Sequence, residues 1–542
     1  MEKRIKNKAS QIKIPLFIAL AVIVGIFIGA GAAKKENSTN ITGTYMRFLE
    51  IINYIDRDYV DTVNIDDLVD YSITQMLEKL DPHTSYIAKK DVDIARSQLE
   101  GDFEGIGIEF NIIKDTIYVV APISGGPSEA VGLQAGDKIV KVDGETIAGK
   151  TITNYDVFKK LRGKKGTKVV VSIKRKGQIK LIDYTIIRDK IPTYSVDAYY
   201  MIDDKSGYIK VNRFAANTYN EFSAAMKELK AAGMQQLILD LKDNPGGYMD
   251  KAIRMADDFL EGNKMIVYTN GKGEKYDSEH KSTGAGEFEK GAVIVLINEG
   301  SASASEIVSG ALQDNDRALI VGRRSFGKGL VQMPIPLTDG SELRLTISRY
   351  YTPSGRSIQK HYDSKHSDEY NTEILKRYEK GEYFHADSIK FDDSLKYKTT
   401  KGRVVYGGGG IMPDYFVPRD TSAFTRYLAD LFNQNVIREY TLNYYSNNKV
   451  KFAKMEFADY KKNFQISESM LTELKALAAK SGVKHNEKEY NISKEYIKNN
   501  VKAYIARSAW GAKGFYPIYN ETDEIYMKSL GLFGEAKKII GQ

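Results

Sequence analysis

The composition of the chain is that of a folded globular protein. It has 542 residues, of which 42% are hydrophobic and 28% are charged, and this excludes the disordered and fibrous classes. The net charge of +8 is spread over the whole length, which is too diffuse to indicate nucleic acid as a partner. Cysteine is absent, so disulfides, thiolate zinc sites and cysteine nucleophiles are excluded. At about 150 residues per domain, the length predicts three or four domains.

A basic N-terminus precedes a long uncharged segment. Five Lys or Arg residues lie in the first 13 positions, and residues 14–33 carry no charge. Twenty helical residues span about 30 Å, the thickness of a bilayer core, and the basic flank should remain in the cytoplasm. Two interpretations follow: an uncleaved membrane anchor, favoured by the length of the apolar run, or a signal peptide cleaved near the small residues 30–32. Both predict that the remainder is exported.

The next two regions differ in their apolar pattern. Residues 41–80 carry apolar side chains at helical spacing and end at an Asp-Pro pair, which predicts two or more helices. From about residue 100 to 188 the pattern is one of short strands, the first expected over 103–110, with Gly-rich turns and one short helix at 154–162. The second region is therefore a compact, mainly β module.

From about residue 206, strands and helices alternate, which predicts a parallel or mixed α/β sheet. Residues 361–401 are polar and Tyr-rich with no clear period, and we interpret them as an insertion. After residue 418 the apolar spacing is helical to the end of the chain. The expected strands are 208–211, 237–241, 265–268 and 293–297, and the expected helices between and after them are 219–232, 249–260 and 304–313.

The stretch 292–306 is the most informative part of the sequence. An apolar strand runs into a turn of small residues that contains three serines, and a helix follows. A serine at such a helix N-terminus is a candidate nucleophile, because the helix end favours negative charge and free backbone N–H groups can hold an oxyanion. The alternative is that the serines cap the helix and pack tightly.

A serine nucleophile needs a general base. The six histidines form no ordered Ser-His-Asp pattern, so we consider a lysine whose pKa is lowered by burial. Lys328 is flanked by glycines and leads into an apolar strand, in which Gln332 points to the same face and would orient the amine. The alternative for Lys328 is a solvated turn lysine.

A Gly-rich turn at 244–247 follows another apolar strand. Its glycines let backbone N–H groups approach a ligand, so the turn is a candidate oxyanion donor, although a purely structural turn would have the same sequence.

Together these three motifs resemble those of the C-terminal processing (tail-specific) peptidases, which are serine proteases with a Ser/Lys dyad and a PDZ domain. The resemblance covers roughly residues 40 to 420 and rests on five separate motifs in the family's order. These motifs lie at 80–86, 244–247, 300–307, 325–332 and 351–358.

The resemblance implies roles for individual residues. Ser303 is the nucleophile, Lys328 is the general base and Gln332 is the partner of the lysine. The oxyanion hole consists of the backbone N–H groups of Ala304 and Gly247. The family's chemistry requires neither a metal nor an organic cofactor.

The module at 103–188 resembles a PDZ domain, in which exposed N–H donors bind a terminal carboxylate and the peptide adds a strand to the sheet. The carboxylate-binding loop would be Gly105, Ile106, Gly107 and Ile108. Val157 and Leu161 lie four apart on the short helix, where they would line the pocket for an apolar terminal side chain or simply pack the core of the module.

The expected fold class is a multidomain α/β protein. It comprises a membrane anchor or signal at 1–33, a helical region at 34–99, a PDZ domain at 100–189, a ClpP/crotonase-like protease core at 190–419 and a helical C-terminal region at 420–542. The core fold is implied by the resemblance.

The expected function is that of a serine endopeptidase on the extracytoplasmic side of the bacterial inner membrane. Its partners would be polypeptides with free C-termini and the membrane, through residues 14–33; a homo-oligomer or an activating partner stays open, and nucleic acid is not expected. Two alternatives are a membrane-tethered PDZ scaffold that binds C-termini without cutting them, and an acyl-CoA-handling enzyme.

Overall fold

The computed structural model describes residues 41–123, 125–363, 367–390 and 392–541. The predicted membrane segment at 14–33 lies outside these residues, and no helix within them is both long and apolar enough to cross a bilayer. The chain divides into two compact units, one that ends at Ile73 and one that begins at Thr74.

The helices predicted for residues 41–80 are present as α1 (Ile41–Asp58) and α2 (Ile65–Leu77). No residue of α1 is buried. At the start of α2, the Asn64 side chain accepts a hydrogen bond from the Asp66 N–H at 3.1 Å, and Asp66 and Asp67 stand in the first turn. Such a cap and such charges stabilise a helix N-terminus.

A short segment then leads into the β module. It contains β1 (Ser85–Ile87) and α3 (Lys89–Glu100), a helix that closes at Gly101 in the left-handed conformation. β1 pairs with a strand more than 250 residues later, from Ser85 opposite Arg344 to Ile87 opposite Glu342. The stretch before the module is thus built into a sheet of the α/β region that follows the module.

The module itself has one main antiparallel sheet with the strand order β3-β4-β5-β7-β8, in which β6 also pairs with β5. A separate two-stranded sheet consists of β2 and β9. The strand expected over 103–110 is divided in two, because Gly107 has φ 70° and a Cβ there would lie 2.9 Å from Ile191. β3 is an edge strand of the main sheet. The elements are β2 (Asp102–Gly105), β3 (Ile108–Ile113), β4 (Thr116–Pro122), α4 (Pro127–Ala130), β5 (Lys138–Val142), β6 (Glu145–Thr146), α5 (Asn154–Leu161), β7 (Lys168–Lys174), β8 (Ile182–Ile187) and β9 (Asp189–Pro192).

The centre of the second unit is a six-stranded sheet in the order β10-β11-β12-β15-β16-β21, parallel except for β10. Every residue of β11 and β15 is buried, as expected for parallel strands covered on both faces. The elements are β10 (Val196–Met201), β11 (Ser206–Val211), α6 (Thr218–Ala231), β12 (Gln236–Asp240), α7 (Met249–Asp257), β13 (Met265–Gly271), β14 (Ser278–Lys281), β15 (Ala292–Ile297), α8 (Ala304–Asp314) and β16 (Leu319–Gly322).

A smaller sheet stands beside the central one, in the order β1-β18-β13-β14 with β17 paired to β18. β17 (Leu330–Pro336) and β18 (Glu342–Tyr351) form a long hairpin. The segment predicted as an insertion without periodic structure contains a helix, α9 (Ser367–Glu379), and a small hairpin of β19 (Lys396–Lys398) and β20 (Val404–Tyr406). β21 (Tyr415–Phe416) then completes the central sheet.

The C-terminal region is helical, as predicted, and it packs on both the core and the β module. Side chains of its last two helices, including Ile525 and Phe533, cover the face of the central sheet opposite α6–α8. Lys114 and Glu109 of the module form ion pairs with Glu439 and Arg507 at 3.1 Å and 2.8 Å. The helices are α10 (Arg426–Asn433), α11 (Val436–Asn447), α12 (Lys449–Phe452), α13 (Phe457–Asn463), α14 (Glu468–Lys480), α15 (Glu487–Tyr519), α16 (Glu524–Ser529) and α17 (Phe533–Ile540).

Candidate active site

The three serines between β15 and α8 have different environments. Ser301 and Ser305 are fully buried, and their hydroxyls donate to the carbonyl oxygens of Leu241 at 2.8 Å and Asn244 at 2.9 Å. Ser303 is partly exposed. The outer two serines therefore fasten the turn to the Gly-rich loop, and only the middle one is accessible to a ligand.

Ser303 has a strained backbone. Its φ of 55° is rare for a residue with a side chain and costs on the order of 1–3 kcal/mol. The fully buried carboxylate of Glu306 holds this conformation, since its Oε2 accepts a hydrogen bond from the Ser303 N–H at 2.8 Å.

The same carboxylate binds the loop that carries Lys328. Its Oε2 also accepts from the Lys328 N–H at 2.9 Å, and its Oε1 accepts from the Gly327 N–H at 2.7 Å and the Ser325 hydroxyl at 2.5 Å. Burial raises the pKa of Glu306 to about 7, and these donors oppose the rise. One carboxylate thus joins the predicted nucleophile to the predicted base.

Tyr350 makes a second connection between the two segments. Its hydroxyl lies 2.6 Å from the Lys328 carbonyl oxygen and 3.1 Å from that of Ser303, and its side chain is buried. Ser303 and Lys328, 25 residues apart in sequence, are therefore held together at both their N–H and their C=O groups.

The amine of Lys328 contacts Gln332, the partner expected for it. Its Nζ donates a hydrogen bond to Gln332 Oε1 at 2.7 Å. Burial lowers the pKa of Lys328 below its usual 10.5, with Arg344 acting in the same direction and the charges of Asp81 and Glu306 opposing. A lowered pKa is what an amine needs to accept a proton near neutral pH.

The motif just before the β module is part of this site. The Asp81 carboxylate accepts from the N–H groups of His83 and Thr84, both at 2.8 Å, and so fixes a tight turn. The carbonyl oxygen of His83 accepts a hydrogen bond from the Gln332 side-chain amide. The turn therefore holds Gln332, which in turn holds Lys328.

The Gly-rich turn lies directly against Ser303. A Cβ at Gly246 would be 2.8 Å from both the Ala304 nitrogen and Ser303 Cβ, and a Cβ at Gly247 would be 2.1 Å from the Phe214 oxygen. Within the described ranges, the N–H groups of Gly247 and Ala304 donate no hydrogen bond. The turn that carries one predicted oxyanion donor, Gly247, thus lies against the other, Ala304, and both N–H groups are without an acceptor in the described chain.

The predicted carboxylate-binding residues Gly105, Ile106, Gly107 and Ile108 connect the end of β2 to the start of the edge strand β3 and are buried. In the part of the chain that the structure describes, the N–H groups of Ile106 and Gly107 have no acceptor. Buried donors without an acceptor are costly, and a carboxylate would satisfy them.

The predicted pocket residues Val157 and Leu161 are 2% and 4% exposed and belong to the hydrophobic core of the module. The packing alternative given for them is what the structure shows, and a role in binding a terminal side chain stays a prediction. The ring of Phe158, between them on α5, makes an edge contact with Phe110 of β3.

Five further residues are part of this site and were not singled out in the sequence. Asp81, His83, Glu306, Tyr350 and Tyr370 act through contacts between distant segments. Asp81, His83 and Glu306 lie inside motifs that carried the family resemblance, and this was the sequence signal that could have identified them. Among the described residues, no cluster of three or more His, Asp or Glu is arranged to hold a metal ion.

Three family models match the chain. Peptidase family S41 matches residues 205–365, the PDZ domain matches residues 105–186, and a family of unknown function (DUF8443) matches residues 427–511. The PDZ match coincides with the β module, and the peptidase match contains Ser303, Lys328 and Gln332.

Two bacterial relatives agree with these matches. The carboxy-terminal-processing protease of Bartonella bacilliformis is 38% identical over 348 residues, which is 62% of this chain and 79% of the relative. A probable CtpA-like serine protease of Staphylococcus haemolyticus is 34% identical over 362 residues, 66% of this chain and 72% of the relative. A solved photosystem II D1 C-terminal processing protease is 28% identical in sequence. The match covers 58% of this chain and 89% of that protease, with a TM-score of 0.33.

The chain belongs to peptidase family S41, among the carboxy-terminal-processing proteases. It is a serine-type peptidase with a PDZ domain and a helical C-terminal region. The expected family and enzyme class are confirmed, and the scaffold and acyl-CoA alternatives lose their support.

The contact between Gly246 and Ser303 allows a first prediction. Gly246→Ala should lower the peptidase kcat by about 100-fold, because the added methyl group displaces the turn that holds Ser303 and the Ala304 N–H. Gly273→Ala is the matched control: Gly273 has φ 92° against 96° for Gly246, but nothing lies within 4 Å of its Cβ. Both variants should lose about 1 kcal/mol of stability from backbone strain, and Gly246→Ala should lose more, because its Cβ would lie 2.7 Å from the Ala302 oxygen. Equal kcat values would contradict the assigned contact.

Proposed function

We propose that this protein is an endopeptidase that cleaves polypeptides near a free C-terminus with a Ser303/Lys328 dyad. The observation that carries the proposal is the double connection between the two residues: one Glu306 oxygen accepts from both N–H groups, and one Tyr350 hydroxyl contacts both carbonyls. This arrangement keeps the hydroxyl and the amine on adjacent segments independently of substrate.

In the proposed reaction, neutral Lys328 removes the proton from the Ser303 hydroxyl while the oxygen attacks the peptide carbonyl carbon. The carbonyl oxygen gains the negative charge and receives hydrogen bonds from the Gly247 and Ala304 N–H groups, which have no other acceptor in the described chain. The Lys328 ammonium then gives its proton to the leaving amine, and an ester on Ser303 remains. Water, deprotonated by Lys328, hydrolyses this ester and regenerates the hydroxyl.

We propose that the PDZ domain selects the substrate by its terminal carboxylate. The unpartnered N–H groups of Ile106 and Gly107 support this role, as does the position of β3 at a sheet edge where a peptide can add as a strand. Arg162 stands beside the loop: its guanidinium lies 4.6 Å from the Phe103 ring centroid, and its Nε is buried without a partner among the described residues. Positive charge there favours an anionic ligand.

The location and the domain limits also belong to this proposal. Bacterial relatives and the basic, then apolar, N-terminal sequence support an extracytoplasmic enzyme tethered through residues 14–33. We propose domain limits of 100–189 for the PDZ domain and 190–419 for the protease core. α16 and α17 contribute to the protease core from outside those limits, since they cover one face of its sheet.

Tail recognition is tested with two unstructured peptides of one sequence, one with a free apolar C-terminus and one amidated. The full-length protein should cleave the free peptide with a kcat/KM at least about tenfold higher, because the amide cannot accept the charge-assisted hydrogen bonds. Ser303→Ala serves as the blank for contaminating proteases. Equal rates on the two peptides would remove carboxylate recognition from the proposal and leave the dyad in place.

A further inference from the structure

The insertion helix α9 lies against the loop that carries the predicted base. Arg377 of this helix is 2% exposed, and its Nη1 and Nη2 donate to the carbonyl oxygens of Ser325 at 2.7 Å and Phe326 at 3.2 Å. Its Nε donates to Glu373, one helical turn earlier, at 2.5 Å. A guanidinium with three donors engaged fixes the backbone that leads directly to Lys328.

Tyr370 of the same helix reaches the site from another direction. Its hydroxyl is 2.7 Å from Nε2 of His83, and the two rings meet edge to face with centroids 5.3 Å apart. The His83 carbonyl accepts from the Gln332 amide, and Gln332 Oε1 accepts from the Lys328 amine at 2.7 Å. A continuous chain of contacts therefore runs from Tyr370 to Lys328.

The Tyr370 side chain is itself held in place. It is 4% exposed, and the Lys360 ammonium lies 4.0 Å from its ring centroid and 4.1 Å from that of Phe326. The Lys360 Nζ also donates to the Tyr370 carbonyl oxygen at 3.1 Å. Burial lowers the pKa of His83 to about 4, so at neutral pH its ring is uncharged and one of its nitrogens can accept a hydrogen bond from the tyrosine hydroxyl.

We propose that the insertion is a positioning element of the active site, in which Tyr370 acts through His83 and Gln332 to hold the Lys328 amine in its reactive orientation. This inference rests on the proposed dyad. Tyr370 touches neither the substrate nor the reacting atoms; it fixes the imidazole, and with it the 81–84 turn whose carbonyl orients Gln332. A helix that only covered the core would need no hydroxyl at this position.

The test is a double-mutant cycle on the full-length protein with a peptide of free C-terminus. Tyr370→Phe should lower kcat at least about tenfold with KM unchanged, because the amine loses its orientation while substrate contacts stay intact. In a Gln332→Ala background the same change should lower kcat less than about twofold, since the residue through which Tyr370 acts is gone. Tyr378→Phe, an exposed tyrosine on the same helix, is the matched control and should leave kcat unchanged.

Three results would overturn the inference: a Tyr370→Phe enzyme that matches Tyr378→Phe, a loss that is equal in the two backgrounds, or a loss carried by KM. Melting temperatures of all variants separate an unfolded enzyme from a misoriented one. The dyad is judged by its own variants, because cleavage that persists in Ser303→Ala or Lys328→Met refutes the dyad whatever Tyr370 does.

Discussion

Lys328→Met should reduce kcat/KM for peptide cleavage by at least about 10³-fold without destabilising the protein. Removal of the general base costs about 10²–10⁴-fold in rate, and more where base and nucleophile act as a unit. Methionine keeps the length of the side chain. Because burial lowers the pKa of Lys328, the fold disfavours the ammonium form, and an apolar side chain should leave the melting temperature unchanged or higher. The melting temperature is therefore measured first, because a lower value would mean that lost activity reflects unfolding and not the loss of the general base.

The pH dependence of the wild type gives an independent view of the same residue. Only the neutral amine can accept the Ser303 proton, so kcat/KM should rise with pH as Lys328 loses its proton. Since the pKa is lowered from 10.5, the midpoint of this rise should fall below 10.5. A separate rise near pH 7 would belong to Glu306, whose pKa is about 7, whereas His83, with a pKa of about 4, stays uncharged at higher pH. A midpoint at or above 10.5 would contradict a buried amine as base.

Glu306→Gln should reduce kcat at least about 100-fold and cost about 3 kcal/mol of stability. Each carboxylate oxygen of Glu306 accepts two hydrogen bonds. A glutamine would turn its NH₂ group toward two of these donors and leave them unsatisfied, at about 1–3 kcal/mol each. Whichever way the amide lies, the shared support of Ser303 and Lys328 is weakened.

The matched control for this change is Glu221→Gln. Glu221 is also a carboxylate that accepts two backbone N–H groups, from Ser195 at 2.7 Å and Val196 at 2.9 Å, but it lies on α6 and has no contact with the dyad. The Glu221→Gln variant should have a lower denaturation midpoint than the wild type and an unchanged kcat. If both variants lose stability and neither loses kcat, Glu306 is structural only.

The parts of the site that the sequence predicted are those encoded locally. The apolar run of β15, the small-residue turn and the start of α8 at Ala304 define the position of Ser303 from adjacent residues. The spacing of four between Lys328 and Gln332 placed both on one face of a strand, and the hydrogen bond between them is present although the β17–β18 pairing shifts at Gln332.

What the sequence did not predict depends on contacts between distant segments. His83 meets Gln332 across 249 residues and Tyr370 across 287, and no local period or spacing encodes such pairs. The same holds for α9, which meets the lysine loop through Arg377 and His83 through Tyr370. The strand expected over 103–110 is divided at Gly107, whose φ of 70° lies outside the range of a strand.

The most direct test of the central claim is the rate at which full-length Ser303→Ala cleaves the peptide with a free C-terminus. Ser303 is partly exposed, and Ser301, Ser305 and Glu306 hold the turn through hydrogen bonds of their own. The account predicts a folded protein with wild-type melting and a kcat lower by about 10⁶-fold. Cleavage within tenfold of the wild-type rate would contradict it.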